Sequence, residues 1–171
     1  MIIVDTNVLS QMIRPDGDLR VVRWIDDHLT QLYLPTLSVS ELLFGGHSLR
    51  DPVQRKTMLA RMDVLLTRFG GRFLAFDMAA ARIHARVAGD CRRGGHTLTP
   101  VDGRIAAIAI EREFPVATRN VKDFAPTGVR VINPGEARRT AALPPGQASP
   151  ILAATRMTAP RGRSPIRPGV S

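Results

Sequence analysis

The chain has 171 residues, of which 44% are hydrophobic and 23% charged. This length and balance fit one globular domain with a sizeable core and leave little room for a second. No apolar run approaches the roughly 18 residues of a membrane span, and the first residues lack the basic and apolar regions of a secretory signal. One cysteine and four scattered histidines provide neither an internal disulfide nor zinc-ligand spacing. We therefore expect a cytoplasmic protein without a membrane segment.

Positive charge is distributed unevenly along the chain. The 24 Lys and Arg residues exceed the 15 Asp and Glu residues and give a formal net charge of +9. Residues 138–171 contain six arginines and six prolines but no acidic or aromatic residue. Such a segment buries too little apolar surface to offset the entropy lost on ordering. We expect a globular domain over residues 1–137 and a disordered, Pro/Arg-rich tail over residues 138–171.

Short apolar runs alternate with helical patterns along the expected domain. The predicted strands are residues 2–4, 32–34, 73–76, 116–117 and 129–132. Apolar stripes with helical spacing cover residues 19–29, 58–66 and 105–110. Helix starts are predicted at Thr36 or Ser38, at Asp51, at Asp77, and at Thr99 or Pro100. The alternation of strands and helices predicts an α/β sandwich around a mostly parallel sheet.

Three acidic residues follow predicted strands or open predicted helices, namely Asp5, Glu41 and Asp102. Active sites of such sheets lie beyond the carboxyl ends of the strands, which is where these residues are expected. Each also has a purely structural interpretation. Asp5 could be a helix N-cap, Glu41 could form a capping box with Ser38, and Asp102 could favourably face a helix dipole.

The expected convergence of three carboxylates predicts a divalent metal, because like charges repel one another unless a cation neutralises them. Oxygen ligands without cysteine or paired histidine favour Mg²⁺ or Mn²⁺ over zinc. A metal held by carboxylates can activate water and stabilise the leaving oxygen in phosphodiester cleavage. Hydrolysis of nucleic acid is therefore the leading prediction.

Four ordered motifs carry a resemblance to a known family. They are IVDTNVL at residues 3–9, SVSEL at 38–42, PVDGRIAA at 100–107, and VATRNVKDF at 116–124 followed by VINP at 131–134. Together they resemble a PIN domain, specifically a toxin of the VapC or FitB type, over about residues 1–135. The resemblance implies a three-layer α/β/α sandwich and a Mg²⁺- or Mn²⁺-dependent endoribonuclease. It also implies the toxin of a type II toxin–antitoxin pair, which dimerises, cleaves RNA and is restrained by a small VapB-like antitoxin.

The resemblance also assigns roles to individual residues. It implies that Asp5, Glu41 and Asp102 are the catalytic, metal-binding acids. The auxiliary positions are Asn7 and Thr118, which would orient those acids, together with Asn120 and Asp123. The fourth acidic position of the family falls on Asn120, so the number of metal ions stays open. Asp123 could supply the fourth acid or cap the following turn.

Three other classes of protein compete with the nuclease prediction. A haloacid-dehalogenase-like phosphatase also ends its first strand in Asp, but it needs an acid two positions later, where this chain has Asn7. A dinucleotide-binding enzyme needs a GxGxxG motif after its first strand, and the sequence has none there. A catalytically weak PIN fold that binds nucleic acid or a regulatory partner stays open as the alternative.

Overall fold

Five short strands form the centre of the computed structural model, which describes residues 1–136. They are β1 (Ile2–Val4), β2 (Leu32–Pro35), β3 (Phe73–Leu74), β4 (Val116–Ala117) and β5 (Val131–Ile132). All five were predicted, but β3 and β5 are shorter than their apolar runs. β3 ends at Leu74 because its partner β2 ends at Pro35, and β5 begins at Val131 because its partner β4 begins at Val116. The predicted tail and its boundary after residue 137 lie outside the described residues.

The strands form one sheet in the order β3-β2-β1-β4-β5. Every neighbouring pair is parallel, and Ile3 of β1 lies between Tyr33 of β2 and Val116 of β4. The prediction of a mostly parallel sheet is therefore confirmed. Parallel pairing matters for the site because it brings the carboxyl ends of all the strands to one edge.

Seven α-helices connect the strands of the described region. They are α1 (Thr6–Leu9), α2 (Leu19–His28), α3 (Thr36–His47), α4 (Pro52–Arg68), α5 (Met78–Arg93), α6 (Pro100–Arg112) and α7 (Val121–Phe124). Asp51, Asp77 and Thr99 cap α4, α5 and α6 as the sequence predicted. None of the helices in residues 1–136 has the length and apolar character needed to cross a membrane.

The apolar core is divided between the two faces of the sheet. Alternate residues of a strand point to opposite faces, and β1 follows this rule. Ile2 and Val4 join a cluster that contains residues of α1, α2 and α4, whereas Ile3 joins a cluster built mainly from α6. This gives a three-layer α/β/α sandwich, as the resemblance implied.

The central strand β1 positions the first candidate acid. Its three residues are buried, and α1 begins only one residue after the strand ends. The Asp5 amide donates to the Ala117 carbonyl at 3.0 Å, and the Thr118 amide donates to the Ile132 carbonyl at 3.0 Å. These bonds align the ends of β1, β4 and β5, so the residue that follows β1 lies beside the residue that follows β4.

Candidate active site

Asp5 lies at the centre of the candidate site, where only 3% of its surface is exposed. Its Oδ1 accepts a 2.6 Å hydrogen bond from the Thr6 amide, so Asp5 is indeed the N-cap of α1. Its Oδ2 accepts hydrogen bonds from Thr118 Oγ1 at 2.8 Å and Asn7 Nδ2 at 2.6 Å. The capping interpretation and the site interpretation therefore both apply to the same carboxylate.

Asn7 and Thr118 fix this carboxylate from two different elements. The Asn7 amide nitrogen donates to Thr118 Oγ1 at 3.0 Å as well as to Asp5. Asn7 Oδ1 accepts the Arg119 amide at 3.0 Å, and Thr118 Oγ1 accepts the Asn120 amide at 2.9 Å. The side chain of Asn7 and the loop after β4 thus hold Asp5 in one orientation.

The charge on Asp5 is strongly disfavoured. Burial and the like charges of Asp102 and Glu41 raise the pKa of Asp5 to about 6, although hydrogen bonds from Thr118 and Thr6 favour the ionised form. Repulsion of this kind requires the three carboxylates to lie near one another. Glu41 of α3 and Asp102 of α6 are therefore near enough to Asp5 for their charges to act on it.

Glu41 lies in the middle of α3 and not at its start. The helix begins at Thr36, so the proposed capping box between Glu41 and Ser38 is wrong. Glu41 Oε2 instead accepts a 2.6 Å hydrogen bond from Thr6 Oγ1 of α1. The side chain of Ser38 is buried, and its hydroxyl has no hydrogen-bond partner within residues 1–136.

Asp102 is the third residue of α6 and combines the two roles that the sequence left open. Its amide donates to Thr99 Oγ1 at 3.1 Å, and the same hydroxyl donates to Asp102 Oδ2 at 2.7 Å. Burial raises the pKa of Asp102 above its usual value, and the like charge of Asp123 raises it further. Asp102 therefore helps to begin the helix while belonging to the acidic cluster.

Asn120 and Asp123 lie on the side of the site that faces Asp102. The Asn120 side-chain amide donates a short hydrogen bond to Asp123 Oδ2. Asp123 is in turn near enough to raise the pKa of Asp102. Asn120 therefore orients Asp123, whose like charge acts on Asp102.

Thr6 and Thr99 are site residues that the sequence analysis missed. Each of the acids Asp5, Glu41 and Asp102 accepts a hydrogen bond from a threonine hydroxyl, in the order Thr118, Thr6 and Thr99. Thr99 could have been found from its position three residues before an acid at a helix start. Nothing local indicates the partner of Thr6, because it lies 35 residues away along the chain.

The donor set of the site suits a hard divalent cation. Among residues 1–136, no group of three or more His, Cys, Asp or Glu side chains is arranged to hold a metal ion. A buried carboxylate with like-charged neighbours nevertheless gains from a bound cation, and all the candidate donors are oxygen atoms. Mg²⁺ keeps several of its own waters and binds through one or two carboxylates, so it does not need a complete protein cage.

The fold and the site define an α/β protein with acidic residues clustered at the carboxyl edge of a parallel sheet. The family model described as the PIN domain matches residues 2–128. The chain therefore belongs to the PIN domain family, as its motifs predicted.

Its relatives include toxins of the VapC and FitB type. The chain is 36% identical to "VapC ribonuclease Y4jK" of Sinorhizobium fredii, over 80% of this chain and 99% of that protein. It is 35% identical to "Toxin FitB" of Neisseria gonorrhoeae, over 78% of this chain and 98% of the relative. The crystal structure of FitAcB from N. gonorrhoeae superposes with a TM-score of 0.75 at 34% identity, and it covers 80% of this chain and all of that one.

Proposed function

We propose that this protein is the toxin of a type II toxin–antitoxin pair and acts as a metal-dependent endoribonuclease. One observation carries the proposal. The buried carboxylate of Asp5 is fixed by Thr118 and Asn7 while two like-charged carboxylates from other elements act on it. A protein that used Asp5 only as a helix cap would gain nothing from adding Glu41 and Asp102 nearby.

Asp5 and Asp102 are the residues that we propose to hold Mg²⁺ or Mn²⁺, with Glu41 as a third acid. When bound, the ion would lower the pKa of a water molecule and stabilise negative charge on the leaving oxygen of a phosphodiester. Asp123, oriented by Asn120, is the candidate fourth carboxylate. Asn120 itself supplies no negative charge, so we expect a second ion to bind weakly until substrate phosphate adds its own oxygens.

The side chains of this site have separate tasks in the proposed reaction. Thr118 and Asn7 keep Asp5 in one orientation, and Thr99 does the same for Asp102. Glu41 is the exposed acid of the cluster, and its Oε2 is fixed by Thr6. We propose that Glu41 supplies the third carboxylate of the metal-binding set.

RNA is the substrate that we propose, because the relative from S. fredii is named a ribonuclease and its similarity covers the whole domain. The toxin assignment follows from the name of FitB. The further partners that we propose are a small VapB-like antitoxin and a second copy of this chain. The site of action would be the cytoplasm, where a lone cysteine stays reduced.

Cleavage of single-stranded RNA in the presence of Mg²⁺ or Mn²⁺ tests the proposal. Asp5→Asn and Asp102→Asn should each abolish cleavage without unfolding the protein, and chelation of the metal should have the same effect. Asp63→Asn is a matched control, because Asp63 is exposed on α4. If the purified Asp5→Asn, Asp102→Asn double variant cleaves at the wild-type rate, the assignment of the metal site is wrong.

The same assay decides between this proposal and a PIN fold that only binds. If the wild-type protein binds RNA but cleaves none at any Mn²⁺ concentration, then it is a nucleic-acid-binding or regulatory protein. A light-scattering measurement of the purified chain would test the proposed homodimer independently.

A further inference from the structure

Arg119 occupies a distinctive position directly after β4. It lies between Thr118, which binds Asp5, and Asn120, which orients Asp123. Its amide donates to Asn7 Oδ1 at 3.0 Å, so its backbone is tied to the residue that holds Asp5. The residue is exposed. The backbone of Arg119 is therefore fixed at the edge of the acidic cluster, while its cationic side chain is exposed to solvent.

The Arg119 guanidinium makes no ion pair or side-chain hydrogen bond with any residue of 1–136. The acid that it influences is Asp18, whose pKa it lowers. That carboxylate already has a partner, because Arg20 donates to Oδ1 at 3.2 Å and to Oδ2 at 2.9 Å. Asp18 Oδ1 also accepts the Arg20 amide at 2.9 Å. The Arg119 guanidinium therefore stays available to bind an anion.

A buried glutamine fixes this neighbourhood to the active site. Gln11 Nε2 donates to the Asn7 carbonyl at 3.2 Å, and Gln11 Oε1 accepts the Asp18 amide at 3.1 Å. Gly17 packs so closely here that a Cβ atom would lie 2.0 Å from the Gln11 carbonyl oxygen. Asp18 is thus held beside Asn7, the residue that binds Asp5.

We propose that Arg119 binds a phosphate of the RNA strand next to the bond that is cleaved. This proposal rests on the proposed function, since it names a substrate contact of the same site. A cluster of carboxylates repels an RNA backbone, so a cation at its edge favours the approach of the strand. A guanidinium presents a planar set of donors that matches two phosphate oxygens at once. Arg119 is accordingly a binding and positioning residue and not a group that reacts.

Arg130 provides a matched control for this role. It is also exposed, but it comes directly before β5 and so lies at the opposite edge of the parallel sheet from the acids. Arg119→Ala and Arg130→Ala remove the same charge and keep the backbone amide. The bond from residue 119 to Asn7 therefore survives the substitution, and both variants should melt within a degree or two of the wild type.

Steady-state cleavage of a single-stranded RNA oligonucleotide tests the proposal directly. Arg119→Ala should raise KM by about tenfold and leave kcat nearly unchanged, because the lost contact is present equally in the bound substrate and the transition state. Arg119→Lys should recover part of the affinity, since a lysine retains the charge without the fork of donors. Arg130→Ala should match the wild type. Equal KM values for Arg119→Ala and Arg130→Ala, or a loss confined to kcat, would overturn the proposal.

Binding without cleavage separates this proposal from the proposed function. Anisotropy of a labelled single-stranded RNA in EDTA, measured over a series of KCl concentrations, reports how many phosphates the protein neutralises. Arg119→Ala should reduce the slope of log affinity against log salt by about 0.7, the value for one phosphate on a single strand. This arm decides the role of Arg119 even if the wild-type protein cleaves no RNA. A slope equal to that of the wild type in EDTA would overturn the phosphate contact.

Discussion

Thr6 Oγ1 donates a 2.6 Å hydrogen bond to Glu41 Oε2 and so connects α1 to α3 at the candidate site. The amide of the same threonine donates to Asp5 Oδ1 at 2.6 Å. One residue therefore fixes two acids that belong to different elements. The orientation of Glu41 relative to Asp5 depends on this single side chain.

Thr6→Val should lower kcat for RNA cleavage by about tenfold, because valine has the shape of threonine but cannot orient Glu41. The melting temperature should change little, since the lost hydrogen bond is exposed to solvent. Thr6→Ser keeps the hydroxyl and should restore most of the activity. Thr67→Val is a control, because Thr67 is exposed on α4. Wild-type kcat in Thr6→Val would show that Glu41 needs no fixed orientation.

The raised pKa of Asp5 predicts how the stability of the metal-free protein varies with pH. Between pH 3.8 and about 6, the native protein retains a proton that the unfolded chain has lost. The free energy of unfolding should therefore fall as the pH rises through this window, by at most about 3 kcal/mol. Urea unfolding in EDTA at pH 4, 5, 6 and 7 measures this contribution when the wild type is compared with Asp5→Asn.

The comparison removes the contribution of carboxylates that do not interact with Asp5. Asp16 and Asp18 have pKa values below their usual range, so they contribute in the opposite direction in both proteins. The difference between wild type and Asp5→Asn removes their shared effect. Parallel stability curves for the two proteins would mean that the pKa of Asp5 is the same in the native and unfolded states.

Divalent metal should offset the loss of stability caused by a substitution at Asn120. Asn120→Asp removes the amide that donates to Asp123 and places two carboxylates side by side. Without metal the melting temperature should fall because of this repulsion. With Mn²⁺ it should recover, and calorimetry should show metal affinity several-fold tighter than in the wild type.

Asp123→Asn makes the complementary change, since it removes the carboxylate and keeps a side chain of similar size. Its metal affinity should fall several-fold. If Asn120→Asp and Asp123→Asn both bind Mn²⁺ as the wild type does, then neither residue lies within reach of the ion. Water would then complete the coordination.

Two adjacent glycines of α3 should respond differently to alanine. A Cβ atom at Gly46 would lie 3.0 Å from Leu59 Cδ2 and 3.3 Å from the terminal methyl group of Met62, both on α4. Gly46→Ala should therefore be less stable than Gly45→Ala, because Leu59 and Met62 must shift by a few tenths of an ångström to admit the new methyl group. A Cβ at Gly45 has no neighbour within 4 Å. Gly45→Ala should stabilise the helix by up to about 1 kcal/mol, because alanine favours helix more than glycine does.

Chemical denaturation of the two alanine variants measures both effects. The pair also tests the close contact between α4 and α3, the helix to which Glu41 belongs. Equal stability of the two variants would mean that α3 and α4 are not packed closely at Gly46.

The sequence alone determined the order of the strands along the chain and predicted that Asp5 lies at the carboxyl edge of the sheet. Buried parallel strands are short apolar runs, and the residue that follows such a run must lie at the carboxyl edge of the sheet. This reasoning located Asp5 without any knowledge of its neighbours. The start of α6 could also be predicted from local sequence, because Thr99 caps the helix by accepting a hydrogen bond from the amide of Asp102, only three positions later.

Only the tertiary structure supplied the hydrogen bonds between residues that lie far apart along the chain. The contacts of Thr6 with Glu41, of Thr118 with Asp5, and of Asn7 with Arg119 join residues 35 to 113 positions apart. Sequence periodicity reports the local environment of a residue and contains no information about such distant partners. For the same reason, local pattern suggested a capping box for Glu41, whereas the start of α3 at Thr36 and the bond to Thr6 assign it to the acidic site.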